Sequence, residues 1–272
     1  MKIYSMQDAL KDINNPDVRH IVPVSGGKDS AAMAIYLRQK YPELPTEYVF
    51  SDTNSELPET YQYLEKLEAL LGKTIVRINA LDYEKVKRKP GRKAFDFFLE
   101  ELYGGFLPSP QARWCTIDLK IKPFEKYVGS GKVYSYIGIR GDEDRQGYVQ
   151  SKKPPKISDK PNIIPIYPFK DDGIILQDVK DILERSGLGL PSYYNWRSRS
   201  GCYFCFYQQI GEWQGLKEKH PDLFQEAKRF EKTTGYKYTW VEGRTLTDIE
   251  NLTIRYDIQD MDEAEGCAIC HI

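Results

Sequence analysis

The run Ile21-Val22-Pro23-Val24-Ser25-Gly26-Gly27-Lys28-Asp29-Ser30, followed at once by Ala31-Ala32-Met33-Ala34-Ile35-Tyr36-Leu37, constrains the fold more than any other part of the chain. A short apolar stretch ends in two glycines and passes directly into an alanine-rich helix pattern. That order specifies a buried strand, a tight turn and a helix. Gly26 and Gly27 can take positive φ and bring bare backbone close to a ligand. Successive N–H groups in such a turn, with the helix N-terminus behind them, form an anion cradle. Ser25 and Ser30 can donate to phosphate oxygens, and Lys28 can neutralise charge. The plainer alternative is a strand-to-helix turn with capping Ser and Asp. The Walker spacing is absent, and no Gly-x-Gly-x-x-Gly follows the first strand.

Along the chain, apolar runs alternate with helical periods, as in a parallel sheet covered on both faces. Strands are expected over Ile21–Val24, Tyr48–Phe50, Thr74–Ile78 and Val133–Ile139, with a short edge strand at Ile163–Ile166 because it contains a proline. Helices are expected over Leu57–Leu71, capped by Gly72, over Lys93–Tyr103, over Ile174–Arg185 and within Gln208–Lys232. Beyond Gly235 the chain reads as polar and acidic, and Gln150–Pro161 as a loop or linker. Open α/β sheets bind ligands outside the carboxyl ends of their strands. The Ser25 turn, Ser51-Asp52-Thr53 and Gly138-Ile139-Arg140-Gly141 therefore share one rim. Asp29 or Asp52 can hold magnesium there, and Arg140 can grip a phosphate in bidentate fashion. A helix-capping role for Asp52 and a surface ion pair for Arg140 are the alternatives.

With 272 residues, of which 40% are hydrophobic, the chain can build one large α/β domain, or a domain with an appendage. No apolar run approaches the roughly 20 residues of a membrane span, and the first residues lack the apolar stretch of a signal peptide. A cytoplasmic protein without membrane contact is expected. A net charge of −1 supplies no global attraction for nucleic acid, so any such binding must use a local patch. The five cysteines are too few, and odd in number, for a disulfide scaffold. Cys115 stands alone, whereas Cys202/Cys205 and Cys267/Cys270 form two C-x-x-C pairs. In a reducing compartment that spacing points to metal, iron–sulfur or redox chemistry.

Several motifs carry a family resemblance. Ser25-Gly26-Gly27-Lys28-Asp29-Ser30 resembles the PP-loop of the ATP pyrophosphatases, which cleave ATP between the α and β phosphates. Ser51-Asp52-Thr53-Asn54-Ser55-Glu56-Leu57-Pro58-Glu59-Thr60 resembles the second motif of the phosphoadenosine phosphosulfate (PAPS) reductase branch of that superfamily. Arg113-Trp114-Cys115-Thr116 with Leu119-Lys120 and Pro123, Gly138-Ile139-Arg140-Gly141-Asp142-Glu143-Asp144-Arg145, and Pro165-Ile166 through Gly201-Cys202-Tyr203-Phe204-Cys205 follow in the family's order. The Cys115 motif with a later Gly-Cys-x-x-Cys is most similar to the Dnd- and Ssp-type sulfurtransferases of DNA phosphorothioation. The resemblance implies an open, doubly wound, Rossmann-like sheet over 1–190, and a helical, cysteine-bearing extension over 191–272. It implies ATP at Ser25–Ser30 with Asp52, Thr53 and Arg140, and catalytic roles for Lys28, Asp29 and Arg140.

The same resemblance assigns Cys115, Cys202 and Cys205 to a [4Fe–4S] cluster, with Cys270 or Cys267 as fourth ligand or with one iron left open. Zinc is the rival metal, and a buried Cys115 beside a Cys202/Cys205 redox pair is the reading without metal. The departures matter too. Cys115 is followed by Thr116 and not by a second cysteine, and the tail Glu265-Gly266-Cys267-Ala268-Ile269-Cys270-His271 only shares ingredients with the reductase tail. Two basic runs, Lys85–Lys93 and Lys152–Lys160, and Tyr193, Tyr194 and Trp196 beside Arg197, suit nucleic acid. Solvated loops and a packed aromatic cluster are the more ordinary explanation. The implied activity is ATP-dependent adenylation of a substrate oxygen, a DNA backbone phosphate above all, followed by sulfur transfer. A cysteine desulfurase, further modification-complex subunits and a homo-oligomer are the implied partners. A sulfonucleotide reductase, a tRNA-thiolating enzyme and a non-catalytic iron–sulfur or zinc nucleic-acid-binding module are the alternatives.

Overall fold

The computed structural model of the protein describes residues 4–83, 91–143, 158–232, 234 and 238–258. Within them five strands form one all-parallel sheet in the order β3-β2-β1-β4-β5. These are β1 Val18–Pro23, β2 Thr46–Ser51, β3 Ile75–Ile78, β4 Lys132–Tyr136 and β5 Ile163–Ile166. β1 is central, with His20 opposite Thr46 on one side and Tyr134 on the other. The strand order reverses between β1 and β4, which makes the gap between their carboxyl ends the switch point of the sheet.

Burial on both faces explains the near-continuous apolar strands. Side chains still alternate. Val22, Tyr48, Phe50, Tyr134 and Ile164 face one core, with the helices α1 Met6–Lys11, α2 Lys28–Lys40, α3 Pro58–Leu71 and Leu176–Arg185. Ile21, Val49, Val133 and Ile163 face the other, against Phe124 and Val128 of the helix Lys122–Val128. A third core lies off the sheet and is aromatic. Phe95 stands at its centre, with ring centroids 4.1 Å from Phe204, 5.3 Å from Trp114 and 5.1 Å from Phe230. This core draws on residues on both sides of position 190.

The element boundaries differ from the sequence reading in instructive ways. The first strand starts three residues early, at Val18, and β4 pairs only as far as Tyr136. The helix from Ala94 widens into a π-type turn over Phe98–Leu102, which leaves Phe95, Phe97 and Phe98 buried and Leu102 exposed. Pro221 divides the helical stretch after Gln208 into Ile210–Lys219 and Pro221–Arg229, because proline starts a helix but cannot continue one. The polar region after Gly235 contains a helix, Leu246–Glu250, whose N-cap Thr245 accepts from the Asp248 N–H at 3.0 Å. Most of the expected linker, residues 150–157, lies outside the described residues. No helix among the described residues is long and apolar enough to cross a membrane.

Candidate active site

The turn after β1 is closed by its own serines. The Ser30 hydroxyl accepts from the Ser25 N–H at 3.0 Å, lies 3.1 Å from the Ser25 hydroxyl and donates to the Gly27 carbonyl at 3.2 Å. α2 then starts at Lys28 with Gly27 as its N-cap. Only Gly26 takes the positive φ expected of both glycines; Gly27 has φ −95°. Gly26 has φ +73°, and a β-carbon there would stand 2.5 Å from the Thr60 methyl. A β-carbon on Gly27 would stand 2.6 Å from the Ser200 hydroxyl oxygen. The result is a bare backbone turn at the N-terminus of a 13-residue helix, at the switch point of the sheet.

The charges around the turn are buried and matched. Arg140, 2% exposed, reaches back from the end of β4 and donates from Nη1 to Asp29 Oδ1 at 2.9 Å. Its Nε meets Asp142 Oδ1 at 3.0 Å. Lys28 Nζ stands 3.6 Å from Asp29 Oδ2 and 5.2 Å from the Tyr194 ring centroid. Arg140 therefore holds Asp29 in place and faces carboxylates through both Nη1 and Nε. The positive potential for an incoming phosphate comes mainly from the helix end and the turn N–H groups. Asp52 sits at the end of β2. Its Oδ1 accepts from the Asn54 N–H and the Tyr61 hydroxyl, both at 2.8 Å, and its Oδ2 takes only the Asn54 amide at 3.3 Å. Of the two carboxylates expected to hold magnesium, Asp52 keeps the more available oxygen. That fits a cation bound by one carboxylate and by substrate phosphates.

The neighbouring turn leads to the cysteines. The Thr53 hydroxyl lies 3.2 Å from both Glu56 Oε1 and Cys202 Sγ. Cys202 Sγ is also 3.5 Å from Glu56 Oε1. Glu56 Oε2 is buried with no hydrogen-bond partner. Burial pushes the Glu56 carboxyl above its usual range, with the Lys120 charge opposing. Burial, then the nearby Glu56, holds the Cys202 thiol well above the usual range. The Cys202–Cys205 loop is pinned at its carbonyls. Arg197 donates to Gly201 O at 3.1 Å and to Cys202 O at 2.8 Å, and the Tyr203 N–H donates to Ser55 O at 2.9 Å.

Cys115, Cys202 and Cys205 line one cavity of about 40 Å³, together with Thr53, Lys120 and Phe204. That is room for several atoms and not merely one water. Trp114, stacked on Tyr103 at 4.3 Å, anchors Cys115. A second π-type turn over Ile117–Ile121 brings Leu119 and Lys120 to the same cavity. Among the described residues no three His, Cys, Asp or Glu side chains gather closely enough to hold a single metal ion. The three thiols thus share a cavity without converging on one point. Soft thiolate donors suit iron–sulfur, and each thiolate of a cluster meets a different iron, so the donor set fits a cluster better than one zinc ion. Cys267 and Cys270 lie outside the described residues.

One chain segment joins the phosphate turn to the cysteine cavity. The Tyr193 hydroxyl donates to the Gly26 carbonyl at 2.8 Å, the Tyr194 hydroxyl accepts from the Lys28 N–H at 3.4 Å, and Ser200 packs on Gly27. Cys202 follows. Tyr193 and Trp196 are buried, so these aromatics build the site's floor. Of the basic runs, Arg92 pairs with Glu100 and Glu101, Lys93 with Glu226, and Lys160 lies 3.8 Å from Glu125. Lys85, Lys87, Arg88 and Lys89, and Lys152, Lys153 and Lys156, lie outside the described residues. Glu56 is a member of the site that the sequence does not announce. Its spacing from Thr53 is that of a helix-capping box, so no local signal marks it.

A doubly wound parallel sheet with a glycine-built anion turn at its switch point defines a nucleotide-binding α/β protein. Residues 19–214 match the family model described as the phosphoadenosine phosphosulfate reductase domain, and the chain belongs to that family, whose members act on nucleotides and sulfur. The chain is 26% identical to an uncharacterized protein of Methanocaldococcus jannaschii, MJ0066, over 229 residues, which cover 82% of this chain and 43% of that one. It thus spans less than half the length of that relative. It is 28% identical to the tRNA-specific 2-thiouridylase MnmA of Lactobacillus delbrueckii subsp. bulgaricus over 122 residues, 43% of this chain and 31% of that one. Among solved structures, a phosphoadenylyl-sulfate reductase of Candida auris in complex with phosphate is similar with a TM-score of 0.48 and 15% identity, over 73% of this chain and 88% of that one.

Proposed function

We propose that the protein is an ATP pyrophosphatase that adenylates an acceptor oxygen so that sulfur can replace it. The observation that carries this reading is the direct junction between the Ser25–Ser30 turn and the cysteine cavity through Tyr193, Tyr194, Ser200 and Cys202. A phosphate-activating loop and a thiol cluster held by one short segment suit two consecutive steps on one acceptor.

In the first step an acceptor oxygen bonds to the α-phosphorus of ATP, the α–β bridge breaks and pyrophosphate leaves. The turn N–H groups, the α2 N-terminus and Lys28 stabilise the charge that builds on the phosphate oxygens, while Arg140 fixes Asp29 beneath them. Asp52 would hold magnesium on the phosphates. In the second step a sulfur nucleophile at the hydrosulfide level bonds to the activated centre and AMP leaves with the original oxygen. A cysteine desulfurase is the proposed sulfur source, and a second thiol reduces its persulfide to hydrosulfide, leaving as the disulfide. Cys115, Cys202 and Cys205 would hold an iron–sulfur cluster, which would supply an open iron for carrying sulfide.

A backbone phosphate of DNA is the acceptor we propose. A tRNA base is the second reading, supported by the likeness to a tRNA-specific 2-thiouridylase. The test is pyrophosphate release from ATP by anaerobic protein, with and without DNA or tRNA. Acceptor-stimulated release is expected, and Lys28→Ala should lower it by about 10²- to 10³-fold, the usual cost of one lost oxyanion donor. Sulfite release from PAPS and thiol, without any ATP turnover, would replace this reading with the sulfonucleotide reductase.

A further inference from the structure

A second, larger cavity of about 370 Å³ opens beside the phosphate turn and shares Lys28 with it. Lys28, Lys180, Tyr194, Asn195, Arg197 and Ser198 line it. The volume falls in the lower range of small-ligand sites, enough for about one nucleotide unit and too small for a folded partner. Three of its lining residues, Lys28, Lys180 and Arg197, are cationic, none is acidic, and Leu190, Trp196 and Ile258 add an apolar wall. Arg197 is the informative member. It is 1% exposed, its two Nη donors go to backbone carbonyls, and its buried Nε has no hydrogen-bond partner. No carboxylate lies within ion-pair distance of it among the described residues, and Glu56 reaches it only as a longer-range charge. A buried guanidinium served by carbonyls alone is costly unless an anion arrives. Lys180, from the helix Leu176–Arg185, likewise makes no ion pair among the described residues.

We infer that this cavity is a second phosphate site, separate from the turn that takes ATP, and that it holds a phosphodiester group of the nucleic-acid acceptor. Its position favours the acceptor over the nucleotide. Lys28 connects it to the turn, while Arg197 connects it through Gly201 O and Cys202 O to the cysteine loop. A group seated there lies next to the machinery of both steps, as an acceptor that meets ATP first and sulfur second must. Of the residues proposed to hold ATP, only Lys28 lines this cavity. The inference rests on the proposed function for its acceptor class.

The test is direct binding of short fluorescent DNA and RNA oligonucleotides to the full chain, with ATP and inorganic pyrophosphate titrated separately. Arg197 also supports the Cys202 loop, so Lys180 is the residue to vary. Lys180→Ala should weaken oligonucleotide binding by about tenfold and reduce the slope of log affinity against log salt by about 1, the signature of one lost phosphate contact. Lys180→Glu should weaken it further. The preferred strand type identifies the acceptor. Unchanged oligonucleotide affinity in both variants would overturn the inference. So would an equal loss for ATP, or competition by pyrophosphate at the same site, because either assigns the cavity to the triphosphate. Absence of pyrophosphate release by the unaltered chain, with oligonucleotide binding intact and Lys180-dependent, would remove the proposed function and leave the site standing.

Discussion

Gly26 carries two independent constraints, a left-handed backbone and a methyl group where its side chain would begin. Gly26→Ala should therefore destabilise the protein by about 2–4 kcal/mol in urea unfolding, from strained backbone and overpacking together. Thr60→Ala in the same chain should recover the packing part and leave the φ part. Asp29 and Arg140 form a buried pair of the kind that is costly to break singly. Arg140→Met should cost about 3–5 kcal/mol by leaving Asp29 short of its partner, and adding Asp29→Asn should return part of it. A double-mutant cycle measures the difference, and strict additivity would show the pair to be uncoupled. The sequence makes Arg140 legible as a rim residue. That it would spend two donors on Asp29 and Asp142 depends on residues 111 and 2 positions away meeting at one point.

At the scale of elements, β1 places His20 in the middle of the sheet. It is fully buried, stacks on Tyr134 and Tyr136, and shares a 2.7 Å hydrogen bond with the Tyr136 hydroxyl. Burial lowers its pKa below the ordinary value of 6.5. The unfolded chain then binds a proton that the folded chain refuses, so this contribution to stability is complete above pH 6.5 and declines as pH falls through it. Melting temperature should drop between pH 7 and 5, and His20→Gln should flatten that slope. An unchanged slope in the variant would move the effect elsewhere. The helices around the sheet were legible from their apolar period and from caps such as Gly72, which takes φ +60°. The π-type turns at Phe98–Leu102 and Ile117–Ile121 were not, because one extra residue per turn leaves the apolar composition unchanged. The second of them is what turns Lys120 toward the cysteines.

For the whole molecule, the segment from Tyr193 to Cys205 is the mechanical link between the two halves of the site. Tyr193→Phe removes a hydrogen bond to Gly26 and should cost about 1 kcal/mol. Its more specific effect should be faster amide exchange across Ser25–Ser30 with little change in the sheet, and exchange rising uniformly would contradict the link. The cysteine cavity makes a second global prediction. Anaerobic reconstitution should load iron and labile sulfide, and Cys115→Ser, Cys202→Ser and Cys205→Ser should each reduce the load. Equal loading in all three variants would place any cluster on other residues.

The chain's order of residues alone determined the parallel sheet, the glycine turn that closes its first strand and the family to which these belong. Those are local matters, written in side-chain alternation, helical period and the backbone freedom of Gly26. Only the tertiary structure decided that Tyr193 would support Gly26 from 167 residues away, that Glu56 would be buried against Cys202, and that Arg197 would be left with a donor to spare. Contacts of that kind arise from how the aromatic third core docks beside the sheet. That docking maximises buried area over many residues at once, and no single stretch of sequence encodes it.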